Sequence, residues 1–338
     1  MKVLIIRTRY LGDTILLVPL IREIQQFDRN ARITVILNEG TGYPLERFPG
    51  VEILSLARGS ALARSASFLS IMGHVRSLRP DLLLDLTVSD RSRWLTRISR
   101  AGKTGAAGEA ADLARGPWEV RLPIDLNWGP DSVVAMQGAL LCALGIPLAG
   151  ITEKAYFPDP LWRERARGWI RERELDMVPL LFLHPGGRHW FKRWPPDRFA
   201  RLADLWLKKR EGAVVVAGTG AERTLVDSVL SGVSGGRIYP LIGASVGLLD
   251  GLIRRSTLFV GNDSGPLHMA DAAHVPLVGL FGSTLPKVWG PISSPRREVV
   301  FHQKDCSPCH HTGCSLGSAN CLASLSVEEV FSRMEALL

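Results

Sequence analysis

One segment near the carboxyl end of the chain combines residue types that bind phosphate. The apolar run Leu258–Val260 leads into the polar turn 261–265, and a helix-compatible stretch follows, with a histidine near its start. A strand that ends in this way presents backbone N–H groups and the positive end of a helix to a ligand. For the histidine, a structural role in a half-buried position is the alternative. We expect a phosphate site formed by Asp263, Ser264, Gly265 and His268.

A second candidate for phosphate binding follows the apolar run Leu180–Leu183. This run leads into Gly186 and Gly187, which allow backbone to approach a ligand closely. Lys192 and Arg193 come next and carry the positive charge that binds a diphosphate. The alternative is a surface loop whose cations remain in water. We favour phosphate binding, because the cations lie between the glycines and a predicted helix start.

The glycines after the apolar run Val214–Ala217 do not form a dinucleotide fingerprint. Gly218 and Gly220 match the first two glycines of G-x-G-x-x-G, but the third position is Arg223. This departure argues against an NAD-linked oxidoreductase. Glu222, at the start of the next predicted helix, can bond ribose hydroxyls or can simply interact favourably with the helix dipole.

The turn after the first apolar run contains a carboxylate, Asp13, just before a predicted helix. Aspartate is a favoured N-cap residue, and position alone favours that role. A carboxylate at a helix end can also accept a proton from a substrate hydroxyl. The structural and the catalytic interpretation are therefore compatible.

Short apolar runs alternate with helix-length segments along the chain, which is typical of parallel sheets covered by helices on both faces. The predicted strands are Lys2–Ile6, Ile33–Leu37, Val51–Leu56, Leu82–Leu86, Ala101–Ala107, Val120–Ile124, Leu180–Leu183, Ala213–Ala217, Ile238–Leu241, Leu258–Val260 and Leu277–Leu280. The predicted helices include Thr14–Asp28, Ser132–Leu144, Pro196–Arg210 and Ala221–Leu230.

Proline and glycine interrupt the pattern over residues 146–160, which we interpret as a linker. We therefore expect two α/β domains, 1–155 and 156–325, that face each other across a ligand-binding cleft. Ser326 and Glu329 form a predicted capping box for a last helix within 326–338.

The composition and charge of the chain restrict its class and its partners. Of 338 residues, 46% are hydrophobic and 22% charged, as in globular proteins. No segment approaches the ~20 apolar residues that span a bilayer, and the amino terminus does not resemble a signal peptide, so we expect a cytoplasmic protein.

The net charge of +8 favours an anionic partner. Basic residues concentrate in two segments of the first third, with Arg58, Arg64, Arg76 and Arg79 in one and Arg91, Arg93, Arg97, Arg100 and Lys103 in the other.

Four of the five cysteines lie close together in the sequence, as C-x2-C-x4-C-x6-C. Thiolates at this density suit zinc or an iron–sulfur cluster, but the spacing matches no standard pattern. A disulfide is less expected than free thiols or metal in a cytosolic protein. A metal here would hold a loop far from any reaction. The residues concerned are Cys306, Cys309, Cys314 and Cys321, with His302, His310 and His311 nearby.

Three blocks together resemble the family 9 glycosyltransferases, the lipopolysaccharide heptosyltransferases. The first block, R-x-x-x-L-G-D-x-x-L-x-x-P-L, spans Arg7 to Leu20. The second, H-P-G-G-R-H-W-F-K-R-W-P, spans His184 to Pro195, and the third, G-N-D-S-G-P-L-H-M-A-D-A-A, spans Gly261 to Ala273. The blocks occur in the family's order across almost the whole chain. The F-K-R-W segment is most similar to the branch that adds a third heptose.

The resemblance implies a GT-B fold, in which two Rossmann-like domains flank a cleft. The amino-terminal domain would hold the lipid A–core acceptor and the second domain ADP-heptose, and the last helix would pack back toward the amino-terminal domain. Transfer would be inverting, with no catalytic metal and no required cofactor. Asp13 matches the family's general base. Donor-binding residues would be Gly186, Lys192, Arg193, Gly218, Glu222, Asp263, Ser264, Gly265 and His268, and acceptor-binding residues Arg9, Gly12, Arg64 and Arg93.

Two alternatives remain open at this point. A transferase for a UDP- or GDP-hexose would have the same phosphate-binding residues, because backbone N–H groups recognise phosphate and not the sugar. A non-catalytic nucleotide-binding protein is the other. We expect no nucleic-acid partner, since Trp190 and Trp194 near Lys192 are the closest approach to interleaved aromatic and cationic residues. The basic first domain would suit an acceptor that carries phosphate and carboxylate groups. It would also suit peripheral contact with the inner face of the cytoplasmic membrane.

Overall fold

The chain forms two compact α/β units, Met1–Phe157 and Pro158–Leu338. The structure is a computed structural model, and it describes residues 1–124, 131–309 and 313–338. The boundary at 157 lies two residues beyond the end of the predicted first domain. Each unit contains one six-stranded sheet in which all strand pairs are parallel.

In the first unit the strand order is β3-β2-β1-β4-β5-β6. The strands are β1 Lys2–Ile6, β2 Arg32–Asn38, β3 Val51–Leu56, β4 Leu82–Asp85, β5 Lys103–Gly108 and β6 Val120–Pro123. The helices are α1 Leu11–Ile15, α2 Val18–Phe27, α3 Ala61–Leu78, α4 Asp90–Ser99, α5 Ala110–Leu113 and α6 Val133–Ala143. This is the order of the Rossmann fold, with ligand-binding crevices where the order reverses, between β1 and β4.

In the second unit the order is β12-β11-β10-β7-β8-β9, which is the same topology. The strands are β7 Leu180–His184, β8 Ala213–Gly218, β9 Arg237–Ile242, β10 Leu258–Asn262, β11 Leu277–Phe281 and β12 Arg297–Phe301. The helices are α7 Pro160–Arg171, α8 Pro196–Arg210, α9 Arg223–Ser231, α10 Val246–Ile253, α11 Gly265–Ala272, α12 Pro286–Trp289 and α13 Val327–Glu335. The reversal point lies between β7 and β10.

Continuous apolar runs become the central strands because both faces of each sheet are covered. Residues 3–6 of β1 and 181–183 of β7 have no exposed surface. Parallel strands buried on both faces have this pattern rather than an alternation. The prediction of an α/β fold with two doubly wound domains is confirmed.

The predicted helix Thr14–Asp28 is two helices, α1 and α2. Pro19 occupies the first turn of α2, where a missing N–H is tolerated. In a continuous helix the ring of Pro19 would clash with the preceding turn and remove a hydrogen bond. Pro19 therefore explains the break between α1 and α2. The apolar periodicity continues through this segment and does not indicate the break.

The sequence analysis did not predict α10, which contains two glycines. In the structure these glycines are packing positions against α7. A Cβ at Gly247 would lie 2.3 Å from the ring of Trp162, and one at Gly251 would lie 2.8 Å from the Trp162 carbonyl oxygen. The glycines therefore allow α7 and α10 to approach closely.

The last helix, α13, packs in the core of the second unit, and its expected contact with the amino-terminal domain stays a prediction. Ser326 caps α13 as predicted, since its side chain accepts from the N–H of Glu329 at 3.1 Å. The apolar side of α13, with Val327, Val330 and Met334, is buried in the core of the second unit. That burial makes α13 part of the second unit. The carboxylate of Glu329 contacts the ring of His302.

Among residues 1–124, 131–309 and 313–338, no helix is both long and apolar enough to cross a bilayer. The longest helix, α3, buries only Ile71 and Val75. Most of its remaining surface is exposed.

Candidate active site

The reversal point of the second sheet brings together the two segments in which phosphate binding was predicted. His184 ends β7, and Asn262 ends β10 beside it, with His184 paired in register to Gly261. After β10 the chain turns at Asp263 and Ser264 and enters α11. The N–H group of Gly265, the first residue of α11, therefore lies at this edge of the sheet. His268 lies in α11 and is buried.

Asn262 fixes the geometry of the two segments, a role that the sequence analysis missed. It is fully buried. Its side-chain amide donates to the carbonyl oxygens of Pro185 and Gly186 at 2.8 and 3.1 Å, and its oxygen accepts from the N–H of Trp194 at 3.0 Å. One amide therefore holds the loop after β7 against the end of β10. The polar residue within an otherwise apolar strand end is the signal that could have indicated it.

A cation and a carboxylate lie together at this edge. The Nζ of Lys192 is 3.6 Å from Oδ2 of Asp263, and the same oxygen accepts from the hydroxyl of Thr284 at 2.6 Å. Asp263 thus braces the turn and positions Lys192. Thr284, just beyond β11, was not predicted. Its position after a third strand of the same sheet is the signal that could have indicated it.

The carboxylate of Glu222 closes the other side of the loop. It accepts from the N–H of Gly187 at 3.0 Å and from the N–H and hydroxyl of Thr219 at 3.0 and 2.9 Å. Arg193 lies 3.8 Å away. Burial opposes ionisation here, but the hydrogen bonds from Thr219 and Gly187 outweigh it and lower the pKa of Glu222. Glu222 is therefore an ionised acceptor at neutral pH.

Gly186 and Gly218 make room for this carboxylate. A Cβ on Gly186 would lie 2.5 Å from Oε1 of Glu222. A Cβ on Gly218 would lie 2.8 Å from a methyl of Val226 and 3.3 Å from Cβ of Glu222. Both predicted glycines therefore act by allowing Glu222 to contact the loop after β7.

His184 is a neutral part of the site. Burial lowers the pKa of His184 to about 4, opposed by Glu222 and reinforced by Arg193. The hydroxyl of Ser264 donates to the carbonyl oxygen of Asn262 at 3.0 Å and lies 3.2 Å from Nδ1 of His184. Because the hydroxyl proton is used, Nδ1–H of His184 is the donor to Ser264. This bond joins the ends of β7 and β10 a second time.

In the first unit, Asp13 forms a buried ion pair with Arg7. The guanidinium of Arg7 donates to Oδ1 of Asp13 and to the carbonyl oxygen of Leu86. The other oxygen of Asp13 accepts from the N–H of Tyr10 at 3.2 Å. Tyr10, not Asp13, is the N-cap of α1, and Asp13 is the third helical residue. The N-cap prediction was wrong because the helix begins at Leu11, one turn earlier than expected.

A cavity of about 590 Å³ opens at the reversal point of the first sheet. Beneath it, Asp85 at the end of β4 accepts from the N–H groups of Thr87 and Val88, both at 2.9 Å. Burial raises the pKa of Asp85, although hydrogen bonds to Ser92 and to this backbone oppose the shift. Val88 has a φ of 53°, a strained value for a β-branched residue. The polar side chains that line the cavity are Thr8, Arg9, Tyr10, Asn38, Thr87, Ser89, Asp90, Arg91 and Ser92.

The four predicted acceptor residues have different surroundings. Arg9 is exposed and lines the cavity, and Gly12 is buried in α1. Arg64 is exposed on α3 and does not line this cavity. Arg93 is buried, and its guanidinium donates to Oδ1 of Asp90 at 2.5 Å and to the carbonyl oxygen of Asp112 at 3.0 Å. The arginine of α4 that lines the cavity is Arg91, because two residues along a helix rotate a side chain by more than half a turn.

The cysteines cluster beside the end of β11. The N–H of Cys309 donates to the carbonyl oxygen of Ser283 at 2.8 Å, and Cys321 is buried close to Gly282. Burial, followed by the neighbouring thiols of Cys306 and Cys321, raises the pKa of Cys309 to about 11. In the described parts of the chain, no three His, Cys, Asp or Glu side chains form a group that could hold a metal ion. The metal site predicted at Cys306, Cys309, Cys314 and Cys321 stays a prediction, and His310 and His311 lie outside the described residues.

The residues at the two reversal points suit different steps of a group-transfer reaction. At the second, a cation, the start of α11 and a glycine loop can bind a nucleoside diphosphate and stabilise its charge as it leaves. At the first, the carboxylate of Asp13, which is bonded to Tyr10 of the cavity wall, can accept the proton of a hydroxyl. A group transfer from a phosphorylated donor to a hydroxyl needs both.

Comparisons with known proteins agree with this assignment. Lipopolysaccharide heptosyltransferase 3 of Escherichia coli K12 is 25% identical over 84% of this chain and 83% of its own length. Lipopolysaccharide heptosyltransferase 1 of Pseudomonas aeruginosa is 25% identical over 100% and 98%.

Solved structures share the fold. A family 9 glycosyltransferase of Veillonella parvula superposes with a TM-score of 0.85 at 21% identity, over 99% of this chain and 96% of its own. ADP-heptose lipopolysaccharide heptosyltransferase II of E. coli superposes with a TM-score of 0.78 at 21% identity, over 100% and 98%. The GT-B prediction is thereby confirmed.

The sequence model of glycosyltransferase family 9 (heptosyltransferase) matches residues 69–320, which is most of the chain. That span contains the loop after β7, the start of α11 and the residues that hold them together. The chain is therefore a glycosyltransferase that belongs to family 9, the heptosyltransferase family.

Proposed function

We propose that the protein transfers a heptose from ADP-heptose to the inner core of lipopolysaccharide, with inversion at the anomeric carbon and without a catalytic metal. The observation that carries the proposal is the meeting of Lys192, Asp263 and the start of α11 at the reversal point of the second sheet. Relatives and structural neighbours whose names state these substrates support the choice of donor and acceptor.

In the proposed donor complex the diphosphate lies at the start of α11. Its negative charge increases as the glycosidic bond breaks, and the Nζ of Lys192 together with the N–H groups of the helix stabilises that charge. Arg193 adds a second cation. Glu222 is ionised, and in the proposed complex it accepts from the ribose hydroxyls in addition to the loop N–H groups. His268 is proposed to donate to a phosphate oxygen.

In the proposed acceptor complex the cavity of the first unit holds the acceptor sugar. Asp13 accepts the proton of the attacking hydroxyl, while the oxygen of that hydroxyl forms the new bond to the anomeric carbon and ADP leaves. Attack opposite to the leaving group produces inversion. Arg9 and Arg91 are the cations of the cavity wall that suit phosphate or carboxylate groups on the acceptor. Positioned base catalysis contributes roughly 10²–10⁴-fold to the rate.

The test is turnover with purified protein and a panel of truncated, heptose-containing core acceptors. ADP-heptose is compared with UDP- and GDP-hexoses, and the anomeric configuration of the product is determined by NMR. We expect transfer from ADP-heptose and an inverted product. Asp13→Asn should lower kcat by roughly 10²–10⁴-fold while ADP affinity stays unchanged. Turnover of Asp13→Asn near the wild-type rate would refute the assignment of the base, and preference for a UDP-sugar would refute the donor.

We further propose that the protein acts in the cytoplasm, in peripheral contact with the inner face of the cytoplasmic membrane. The acceptor that the relatives' names indicate is lipid-linked, and residues 58–103 of the first unit contain nine basic and three acidic residues.

A further inference from the structure

The longest helix of the first unit has more apolar surface than the protein buries. On α3, Ile71 and Val75 pack into the core of the first unit. On the same helix, Leu62 is 81% exposed and Leu69 is 65% exposed. A helix that is apolar on more than one side is normally covered on each of them. The exposed side of α3 therefore requires an explanation beyond the fold.

The exposed apolar residues form a stripe. Leu62, Ala66, Leu69 and Gly73 follow one another at intervals of four, three and four residues, so they lie on one side of the helix, and all are exposed. No aspartate or glutamate occurs between Ala61 and Leu78. The stripe thus consists of apolar or small residues, and its helix carries no acidic residue.

The neighbouring helix continues this surface. Helix α4 packs against α3, and the guanidinium of Arg91 lies 5.9 Å from the ring centroid of Phe68 on α3. On its outer side α4 exposes Trp94, by 57%, and Arg97 one turn further on. Tryptophan and arginine are residue types that favour the boundary between water and lipid.

The segment that contains α3 and α4 is basic. Between residues 57 and 103 there are nine arginines and lysines and three aspartates, a net charge of +6 out of +8 for the whole protein. The basic residues whose side chains are exposed there include Arg58, Arg64, Arg76, Arg79, Arg97 and Arg100.

We propose that the α3–α4 surface, defined by Leu62, Leu69, Arg76, Trp94 and Arg97, docks the protein on an anionic lipid bilayer. The apolar side chains enter the headgroup region, and the arginines pair with lipid phosphates. The proposal rests on the proposed function, because a lipid-linked acceptor is presented at such a bilayer. A second copy of the chain fits this surface less well, since a two-fold interface would place the same basic residues against each other.

The test is co-sedimentation with vesicles of phosphatidylcholine, with and without phosphatidylglycerol. The double variants are Leu62→Gln with Leu69→Gln and Arg76→Gln with Arg97→Gln. We expect each to lower partition onto anionic vesicles by about tenfold or more, and the arginine pair also to reduce the salt dependence. The matched control is Leu161→Gln with Met177→Gln, which changes two apolar residues of the second unit that are 54% and 95% exposed. This control should bind like the wild type.

Binding that is equal for all three double variants would overturn the proposal, as would equal binding of the wild type to vesicles with and without phosphatidylglycerol. If the wild type forms a dimer in analytical ultracentrifugation and the leucine variant is a monomer, the surface is an interface between copies instead.

Transfer assays separate this proposal from the proposed function. With a water-soluble, deacylated acceptor, the leucine variant should turn over like the wild type. With the acceptor in anionic vesicles, its rate should fall together with its binding. If the wild type transfers heptose to neither acceptor, the proposed function fails, and the vesicle binding still decides whether the surface docks on lipid.

Discussion

Arg7 and Asp13 form an ion pair at the edge of the first sheet where β1 and β4 end. The guanidinium of Arg7 also donates to the carbonyl oxygen of Leu86. Both side chains are largely buried. The carboxylate that we assign as the base is thus held by a buried cation on one oxygen and by the N–H of Tyr10 on the other. Its orientation is set before an acceptor arrives.

Removing the cation of this pair should cost stability as well as activity. We expect Arg7→Met to lower the free energy of unfolding by about 3 kcal/mol, because it leaves a buried carboxylate and a carbonyl oxygen without their donor. Urea denaturation of Arg7→Met, Asp13→Asn and the double variant gives the coupling energy. If the changes in the free energy of unfolding of the two single variants add up to that of the double variant, the ion pair has no coupling energy.

The glycine loop of the second unit can be tested by a single methyl group. Gly186→Ala places a Cβ 2.5 Å from Oε1 of Glu222 and should displace the carboxylate from the N–H of Gly187. We expect ADP to bind about tenfold more weakly, from the loss of roughly one charge-assisted hydrogen bond. Gly220→Ala is the control, since nothing lies within 4 Å of its added Cβ. Isothermal titration calorimetry measures the affinity of both variants for ADP. Equal affinities would contradict this role of Gly186.

His184 makes stability depend on pH. Its pKa is about 4 in the folded protein and 6.5 in a model peptide, so the unfolded chain binds a proton over this range that the folded protein excludes. The contribution to stability is complete above about pH 6.5 and is lost as the pH falls toward 4. From pH 7.5 to 4.5 we expect a loss of roughly 2 kcal/mol from this group. The lowered pKa of Glu222 acts in the same direction, but only as the pH falls below 4.5, the ordinary pKa of a glutamate side chain.

Urea midpoints across this range check the prediction, with His184→Gln as the variant that cannot titrate. Its profile between pH 7.5 and 4.5 should be flatter than that of the wild type. Parallel profiles would show that His184 is not the responsible group.

Arg91 and Arg93 should behave differently although they are two residues apart. Arg93→Met removes a buried guanidinium from Asp90 and the Asp112 carbonyl oxygen, and should lower the free energy of unfolding by about 1–3 kcal/mol. Arg91→Met should leave stability nearly unchanged and raise KM for the acceptor several-fold, because it removes a cation from the cavity wall. Thermal unfolding and acceptor titrations at saturating ADP-heptose distinguish the two. The reverse pattern would restore Arg93 as the acceptor residue.

Chelation should leave transfer unchanged, because Lys192 and the start of α11 supply the charge stabilisation that a metal gives elsewhere. Activity after EDTA treatment measures this, and elemental analysis of the same sample reports whether the cysteine cluster holds a metal. Full retention of activity after a metal has been removed from the cysteines would confirm that such a site is structural. A loss of turnover that magnesium restores would contradict the proposed mechanism.

The sequence by itself determined the fold class, most strands and the segments that carry the chemistry. Short apolar runs that alternate with helix-length segments indicate buried strands of a covered parallel sheet, and polar turns at their carboxyl ends then meet at one edge. Residues such as Asp263, Ser264 and Glu222 could therefore be named without coordinates. The residue types in the loops after β7 and β10 also indicated phosphate, because that chemistry depends on local backbone and charge.

Only the tertiary structure decided which side chains meet. Asn262 bonds a loop that is 76 residues away in the sequence, and Thr284 reaches Asp263 from a third strand. The partner of Asp13 and the choice between Arg91 and Arg93 depend on where a helix begins and how it is rotated. The burial of α13 in the second unit likewise depends on contacts between distant segments. Periodicity and spacing describe each element alone, whereas hydrogen bonds across strand ends and the rotation of a helix against its sheet are fixed by packing.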